Sequence, residues 1–401
     1  MAHFEEIAHL QDREITPGER WVYSADFNIS LQGQALRSTS RIDVEVADAR
    51  HILKGGGRVL FLAHQGRYKD SDTEDLDYVV PYLREVLGVE VCYFPENATP
   101  GAEEFSRQIR PGTAAVMGNT RKHPGEEQND PSLAQRFSLL GDYAAIGGFG
   151  KAHRAHASNV GILSHLPGYI TESQLREMEC LAPWAGAQEE EFFLAVLGGT
   201  KREKITIGLD GFLQTYDGII PGGIVLNTIL KVKGYAIGDS LIEDSGRAYE
   251  RETKEMLQRE NRGTIYLPER VIIAGRNGEQ FSDVRLVGID EGVPEGSMIV
   301  DYVLPPTALA SLERMVAERG RLLLAGTPGI VTAGFSQATQ PLIEMMRRNK
   351  DKCIVVGGDS AAELGYDGPT SVGGGSALYF VAHGTTPIID ALLLNRRLFS
   401  T

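Results

Sequence analysis

Short apolar runs alternate with amphipathic segments along nearly the whole 401-residue chain, and this alternation restricts the fold more than any other feature of the sequence. A strand that leaves through a helix re-enters its sheet in the same direction, so repeated strand–helix units build parallel sheets with crossover helices. Apolar runs at 20–29, 58–63, 89–94, 113–117 and 143–146 read as strands. The stretches 39–54, 75–87 and 133–140 carry apolar residues at helical spacing, the first closing on Gly55, Gly56 and Gly57. Further on, 191–197, 218–225, 270–274, 321–324 and 353–356 read as strands, and 171–184, 309–319, 340–348 and 388–397 as helices. A chain of this length outgrows one ordinary core, so the pattern predicts two Rossmann-like, three-layer α/β domains.

Composition narrows the function. Hydrophobic residues at 42%, charged residues at 23% and 46 glycines describe an ordered, turn-rich, soluble chain. No apolar run is long enough to span a bilayer, and the first residues, M-A-H-F-E-E-I, lack a basic-then-apolar leader, so the expectation is a cytoplasmic protein without a membrane partner. A net charge of −14 argues against a nucleic-acid partner. Cys92, Cys180 and Cys353 are far apart and odd in number, which fits reduced buried thiols rather than a disulfide framework.

Against that acidic background the basic residues gather in loops. Residues 149–158 read F-G-K-A-H-R-A-H-A-S, with Lys151, His153, Arg154 and His156 inside six positions. Such a segment packs no core; in a turn or at a helix start it offers positive charge and free backbone N–H groups to a phosphate or carboxylate. The same loops recur: Asp26 and Asn28, His64 and Arg67, Arg121 and His123, and Arg154 each follow the carboxyl end of an expected strand, while Arg41 starts the first helix. Ligands of open α/β sheets sit outside those ends, so four loops are expected to converge on one basic bowl. In the second half, the strand at 191–197 runs into G-G-T-K-R-E-K, a glycine turn followed by Lys201 and Lys204, suited to phosphate but lacking the spacing and hydroxyl of a Walker motif.

These segments carry a resemblance. R-K-H-P-G-E-E-Q-N-D, F-G-K-A-H-R-A-H-A-S and A-H-Q-G-R-Y resemble the phosphoglycerate kinase family, whose usual forms are R-F-H-P-G-E-E-x-N-D, F-G-T-A-H-R-A-H-A-S and S-H-L-G-R-P. A-D-F-N-I-S, L-G-G-T-K, G-Y-x-I-G-x-S-L-I-E, G-G-D-S-A and S-V-G-G-G-S follow in family order over nearly the whole chain. The resemblance implies an acceptor domain at 1–170, an interdomain helix at 171–186, a nucleotide-binding domain at 187–385 and a segment, 386–401, returning to the first domain, with a hinge between the two. It implies that Asp26 and Asn28 orient a small anionic carboxylate substrate, and that Arg41, His64, Arg67, Arg121 and Arg154 grip its phosphate and carboxylate, with Lys151 an added charge on that side. It implies ATP and Mg2+ on the other side: Lys201 near the transferred group and Lys204 beside it, glycine turns at Gly199, Gly222, Gly223, Gly326, Gly358 and Gly373, Gly374 and Gly375, and Asp359 with Ser360 at the phosphates and metal. Arg41, Arg154 and Lys201 would be catalytic, and a monomer is implied.

The departures lie near the reacting groups. The family's R-V-D-F-N is S-A-D-F-N here, so Ser24 replaces a cation. N-D-A-F-G-T is I-G-G-F-G-K, which puts Ile146, Gly147 and Lys151 in place of two polar residues and a threonine. E-N-V-R-F is G-N-T-R-K, with Gly118 for the acid and Lys122 for the aromatic. K-x-x-x-K has shrunk to K-R-E-K, which turns Lys204 by about 100° around a helix unless the backbone compensates. Ala325 and Thr332 replace an asparagine and a glutamate of the nucleotide loop. Four readings follow: a specialised paralogue phosphorylating another carboxylate, a ligase passing an acyl phosphate to an amine, an ordinary phosphoglycerate kinase, or a non-catalytic anion binder.

Overall fold

The computed structural model describes residues 4–29, 31–32, 35–70, 73–186, 191–244 and 247–399, without the side chains of Gln32, Asp70, Asp244, Arg247 and Asp359. The described residues up to Glu179, together with the segment 385–399, form one compact unit, and Cys180–Gly384 forms the other.

The first unit is built on six parallel strands: β1 (Arg20–Ser24), β2 (Arg58–Leu62), β3 (Val91–Phe94), β4 (Ala114–Met117), β5 (Tyr143–Ile146) and β6 (Gly168–Ile170), in the order β3-β4-β2-β1-β5-β6. β1 is central, and Ser24 at its carboxyl end faces Leu62 and Ile146 on its two neighbours. Trp21 to Ser24 and Val59 to Leu62 are buried, because helices cover both faces of the sheet; continuous apolar runs are the mark of such strands. Helix α1 (Val46–Lys54) packs on β2, and the last helix, α12 (Pro387–Leu398), packs on β6. Asn395 anchors that last helix: its amide donates to the carbonyls of Leu163 (2.5 Å) and Leu166 (2.7 Å) and accepts from the Gly168 N–H at 2.8 Å.

The second unit repeats the plan with β7 (Phe192–Leu197), β8 (Gly218–Pro221), β9 (Thr264–Ile265), β10 (Gly320–Ala325), β11 (Cys353–Val356) and β12 (Thr370–Ser371), all parallel, in the order β9-β8-β7-β10-β11-β12. Both parallel sheets agree with the sequence expectation. Three details do not. The stretch 218–225 is a strand only to Pro221; Gly222 caps a helix, Gly223–Val232, whose residues from Ile224 to Leu230 are all buried, so apolar periodicity could not separate it from a strand. The run at 270–274 belongs to a separate antiparallel sheet of Arg270–Asn277, Gln280–Gly288 and Ser297–Tyr302. Its outer strand, Gln280–Gly288, is exposed at most positions, which erased the apolar alternation that would have revealed it. The third is that of the three cysteines, none of them in a disulfide, Cys353 alone is buried, while Cys92 and Cys180 are half-buried.

Candidate functional site

The carboxyl ends of β1, β2, β4 and β5 each open into a loop bearing one of the expected residues. After β1 the chain turns through Ala25 to Ile29; the Asp26 carboxylate accepts from the Asn28 N–H at 3.3 Å and pairs with Arg41, on the short helix Ser40–Asp43. The Asn28 side-chain oxygen accepts in turn from the Gly66 N–H (3.4 Å) after β2, so the first two loops are tied together. Asn119, after β4, does the same for the next pair: its oxygen caps the Arg121 and Gln65 N–H groups (3.0 and 3.3 Å) and its amide donates to the Gln65 and Glu74 carbonyls, both at 2.8 Å.

Arg121 lies at the centre of these loops. Its side chain is 98% buried, since the residue keeps 2% of its surface. One terminal nitrogen donates to the Gly66 carbonyl at 2.6 Å, and Nη2 lies 3.5 Å from the Glu127 carboxylate. Nε and Nη2 nevertheless have no hydrogen-bond partner among the described residues. A buried cation with unmade hydrogen bonds is costly, and it sits in the field of Arg67 and Lys151, with Asp26, Glu126 and Glu127 opposing them. Burial is the largest cause lowering the Arg121 pKa.

The basic turn 149–158 is strapped from beneath by Glu126. Its buried carboxylate accepts from the Ser158 N–H (3.0 Å) and hydroxyl (2.6 Å), and its carbonyl from the Ala157 N–H at 3.0 Å. Asn159 donates to the Arg154 carbonyl at 2.9 Å and takes the His156 N–H at 2.8 Å, which closes the turn and presents Arg154, whose Nε donates to His153 at 3.0 Å. No charge pattern in the sequence distinguishes Glu126 as a strap; only its burial does.

His64 and Lys151 differ from their sequence expectation. His64 is buried, and burial, then the charges of Arg121, Lys151, His156 and Arg154, hold its pKa well below the usual imidazole range. It therefore enters the bowl as a neutral donor or acceptor rather than as a cation. His156 is likewise pushed down to about 3, first by burial and then by Arg121, Lys151 and Arg154. Lys151, expected as an added acceptor-side charge, is buried and turned inward; its ammonium donates to the Ser24 hydroxyl and the Ala25 carbonyl, each at 2.8 Å. His123 holds Asn97 at 2.7 Å. The loops thus bring together Asp26, Asn28, Arg41, His64, Arg67, Arg121 and Arg154 in one unit.

In the second unit, the turns after β7, β8 and β10 pack backbone against backbone. The Ile224 N–H donates to Gly199 O at 2.9 Å and the Gly199 N–H to Thr327 O at 3.2 Å. A Cβ on Gly223, whose φ is +47°, would overlap the Gly199 carbonyl, one on Gly326 the Gly198 carbonyl, and one on Gly222 the Pro328 backbone. Gly199, Gly222, Gly223 and Gly326 therefore form one cradle. A second turn joins Gly358, at the start of α10 (Gly358–Leu364), to the strand β12 beside it: the Gly357 N–H donates to Ser371 O at 2.8 Å, and a Cβ on Gly358 would lie 3.5 Å from Val372. Gly373 and Gly374 then lead into α11 (Gly375–His383), whose first N–H groups lie at this end. Lys201 is exposed; Lys204 is buried and opens a π-wound segment, Lys204–Leu209, packed against α11. The π turn lies where the lysine spacing is shortened, so the 100° step of an α-helix does not apply to Lys204. Burial, then Lys201, lowers its pKa to about 8. Thr332 lies on the short turn Val331–Ala333, Ser360 is half-buried, and the Asp359 side chain is outside the described residues. Among the described residues, no group of three or more His, Cys, Asp or Glu able to hold a metal occurs, and no single helix is long and apolar enough to cross a membrane.

The comparisons agree with this geometry. The sequence profile described as "Phosphoglycerate kinase" matches residues 11–383. A phosphoglycerate kinase of Moorella thermoacetica is 30% identical over 393 residues, covering 96% of this chain and 98% of that protein. One from Roseiflexus sp. is 30% identical over 397 residues, covering 94% and 96%. Among solved structures, phosphoglycerate kinase from Coxiella burnetii superposes with a TM-score of 0.72 at 25% identity, covering 96% of this chain and 98% of the other. The enzyme from Pyrococcus horikoshii, at 20% identity and a TM-score of 0.73 over 98% and 100% of the two chains, shares the fold. With both sheets, the order of the motifs and nearly the full length in common, this chain belongs to the phosphoglycerate kinase family.

Proposed function

We propose that this protein moves the γ-phosphoryl group of magnesium ATP to the carboxylate of a small phosphorylated or phosphonylated acid, giving an acyl phosphate. The observation that carries the reading is Arg121: a buried guanidinium with two unmade hydrogen bonds, in the field of Arg67 and His64, is tolerated where an anion completes it. Phosphoryl transfer to a carboxylate needs no general base, because the nucleophile is already ionised; it needs several negative charges held together and in line. Arg67, Arg121 and Arg154 neutralise and orient the acceptor, and neutral His64 offers a hydrogen bond without adding repulsion. Arg41 is placed by Asp26. The glycine cradle fits the phosphate end of a nucleotide, since its turns leave no room for side chains, and Lys201 and the amides that open α11 face the same anion. Magnesium would neutralise phosphate charge there, with Asp359 and Ser360 as the positions that would hold it.

A specialised acceptor is favoured by one further observation. Lys122 and Tyr68, each directly following an acceptor arginine and each departing from the family form, line one open cleft of about 620 Å³ with Lys69 and Thr73. Incubation with magnesium, ATP and 3-phosphoglycerate, then with other phosphorylated acids, with hydroxylamine present, tests both levels. A hydroxamate with any of these acids supports the transfer, and its formation with another acid alone supports specialisation. Absence of nucleotide turnover with every carboxylate sinks the proposal.

A further inference from the structure

Two departures from the family form touch each other. Position 24, where the family carries arginine, is Ser24, and position 151, where it carries threonine, is Lys151; the Lys151 ammonium donates to the Ser24 hydroxyl at 2.8 Å. Its second bond, 2.8 Å to the Ala25 carbonyl, holds the first residue of the turn that presents Asp26 and Asn28. The lysine stem lies against a bare backbone: a Cβ on Gly148 would stand 2.9 Å from Lys151 Cε and 3.0 Å from Asp26 Cβ.

The carboxylates have shifted in the same way. Position 147, where the family carries aspartate, is Gly147, and a Cβ there would overlap the Glu45 carboxylate and lie 2.8 Å from the Tyr23 ring. Glu45 is buried and accepts from the Tyr23 hydroxyl at 2.6 Å. The Gly147 carbonyl is held by Gln174 at 3.0 Å. One cation and one carboxylate have thus left positions 24 and 147; Lys151 has brought a cation back from 151, and the Glu45 carboxylate fills the space beside Gly147.

We infer that Lys151 is a positioning residue, an ammonium that replaces the arginine of position 24 from the opposite loop and fixes the Ala25–Asn28 turn without touching the acceptor. The inference takes the meaning of that turn from the proposed kinase function. A side chain with 3% exposure, whose ammonium bonds to Ser24 and Ala25 both point into β1 and its turn, cannot also reach a ligand in the bowl. Removing it frees the Ala25 carbonyl and lets the turn, and with it Asp26, relax.

The test is a double-mutant cycle of Lys151→Thr, Ser24→Arg and the pair together, read by thermal melting and by titration with 3-phosphoglycerate. Lys151→Thr empties a buried, paired site and should lower the melting temperature by about 10 °C, Ser24→Arg should lower it comparably by crowding a second cation against the first, and the pair should recover most of the loss. Lys151→Met serves if the threonine variant does not fold. Acceptor KM should rise about tenfold in the Lys151 variants with nucleotide KM unchanged, and the pair should restore it. Additive losses in the pair overturn the exchange, and so does a Lys151→Met protein with wild-type melting and acceptor affinity. A pair that regains its melting temperature yet not its acceptor affinity makes Lys151 a direct ligand and overturns the positioning role. The melting cycle needs no turnover, so it decides the exchange even where the wild type ignores 3-phosphoglycerate and the kinase reading fails.

Discussion

Replacing Arg121 with methionine separates what this side chain does for the fold from what it does for a ligand. On the fold side, the variant loses one charge-assisted bond to the Gly66 carbonyl and a 3.5 Å ion pair to the exposed Glu127. Such a bond is worth about 1.5–3 kcal/mol. Against that loss, the variant removes a buried cation with two unmade hydrogen bonds from the field of Arg67 and Lys151, and an unsatisfied buried donor costs about 1–3 kcal/mol. The two sides nearly cancel, so the melting temperature should stay within about 3 °C of wild type. On the ligand side nothing offsets the loss: two charge-assisted bonds to a phosphate or carboxylate at about 1.5–2 kcal/mol each correspond to a 10²–10³-fold weaker acceptor complex. The assay is calorimetric titration with 3-phosphoglycerate or inorganic phosphate beside melting curves with and without the anion. Saturating ligand should raise the wild-type melting temperature by several degrees and leave Arg121→Met unmoved. A variant that melts more than about 6 °C lower, yet binds the anion as well as wild type, refutes the reasoning, because Arg121 would then be a structural cation.

Three other outcomes test the remaining elements. Gly223→Ala, at a φ of +47° with its new Cβ overlapping the Gly199 carbonyl, should raise nucleotide KM at least tenfold while acceptor affinity in the first unit stays unchanged; equal nucleotide KM values would remove the cradle from the phosphate site. Glu45 has its pKa raised to about 7, first by burial and then by Asp48 and Asp26 against Tyr23 and Lys151. A carboxyl raised on folding contributes stability in full below the unfolded value near 4.5, and that contribution disappears as pH rises through about 7, so wild-type melting should decline from about pH 5 to pH 8 and Glu45→Gln should flatten the profile. Parallel profiles would mean the proton is elsewhere. Lys204, lowered to about 8, should take up a proton when nucleotide phosphates bind above that pH, giving roughly tenfold weaker ATP binding at about pH 9 than at pH 7, an effect that Lys204→Met abolishes. Calorimetry in buffers of different ionisation enthalpy reads the proton directly.

Much of the candidate site is legible in the sequence because parallel α/β sheets put function at strand ends. Short buried runs gave away β1, β2, β4 and β5, and the cations that follow them then had to share one side of the sheet. What sequence could not supply was direction. Lys151 carries the same charge as Arg154 three residues later, yet one points into the sheet and the other belongs to the turn above it, and the difference lies in the space left by Ser24 and Gly148. His64 reads as a cation at neutral pH until its burial beside Arg121 is known. The antiparallel strand Gln280–Gly288 escaped notice for the opposite reason: it buries too little to leave a pattern.

The same logic explains how an acidic chain sustains a basic bowl. With a net charge of −14 the whole molecule repels anions at long range, so attraction must come from groups that solvent and salt screen least. Burying Arg121 and Lys151 in low dielectric does this, and the carboxylates of Asp26 and Glu126 help keep those cations charged. Lys151 then costs the bowl no repulsion at its mouth while it stiffens the floor. An arginine at position 24 and a lysine at position 151 are alternatives for that task, and the fold has room for one of them.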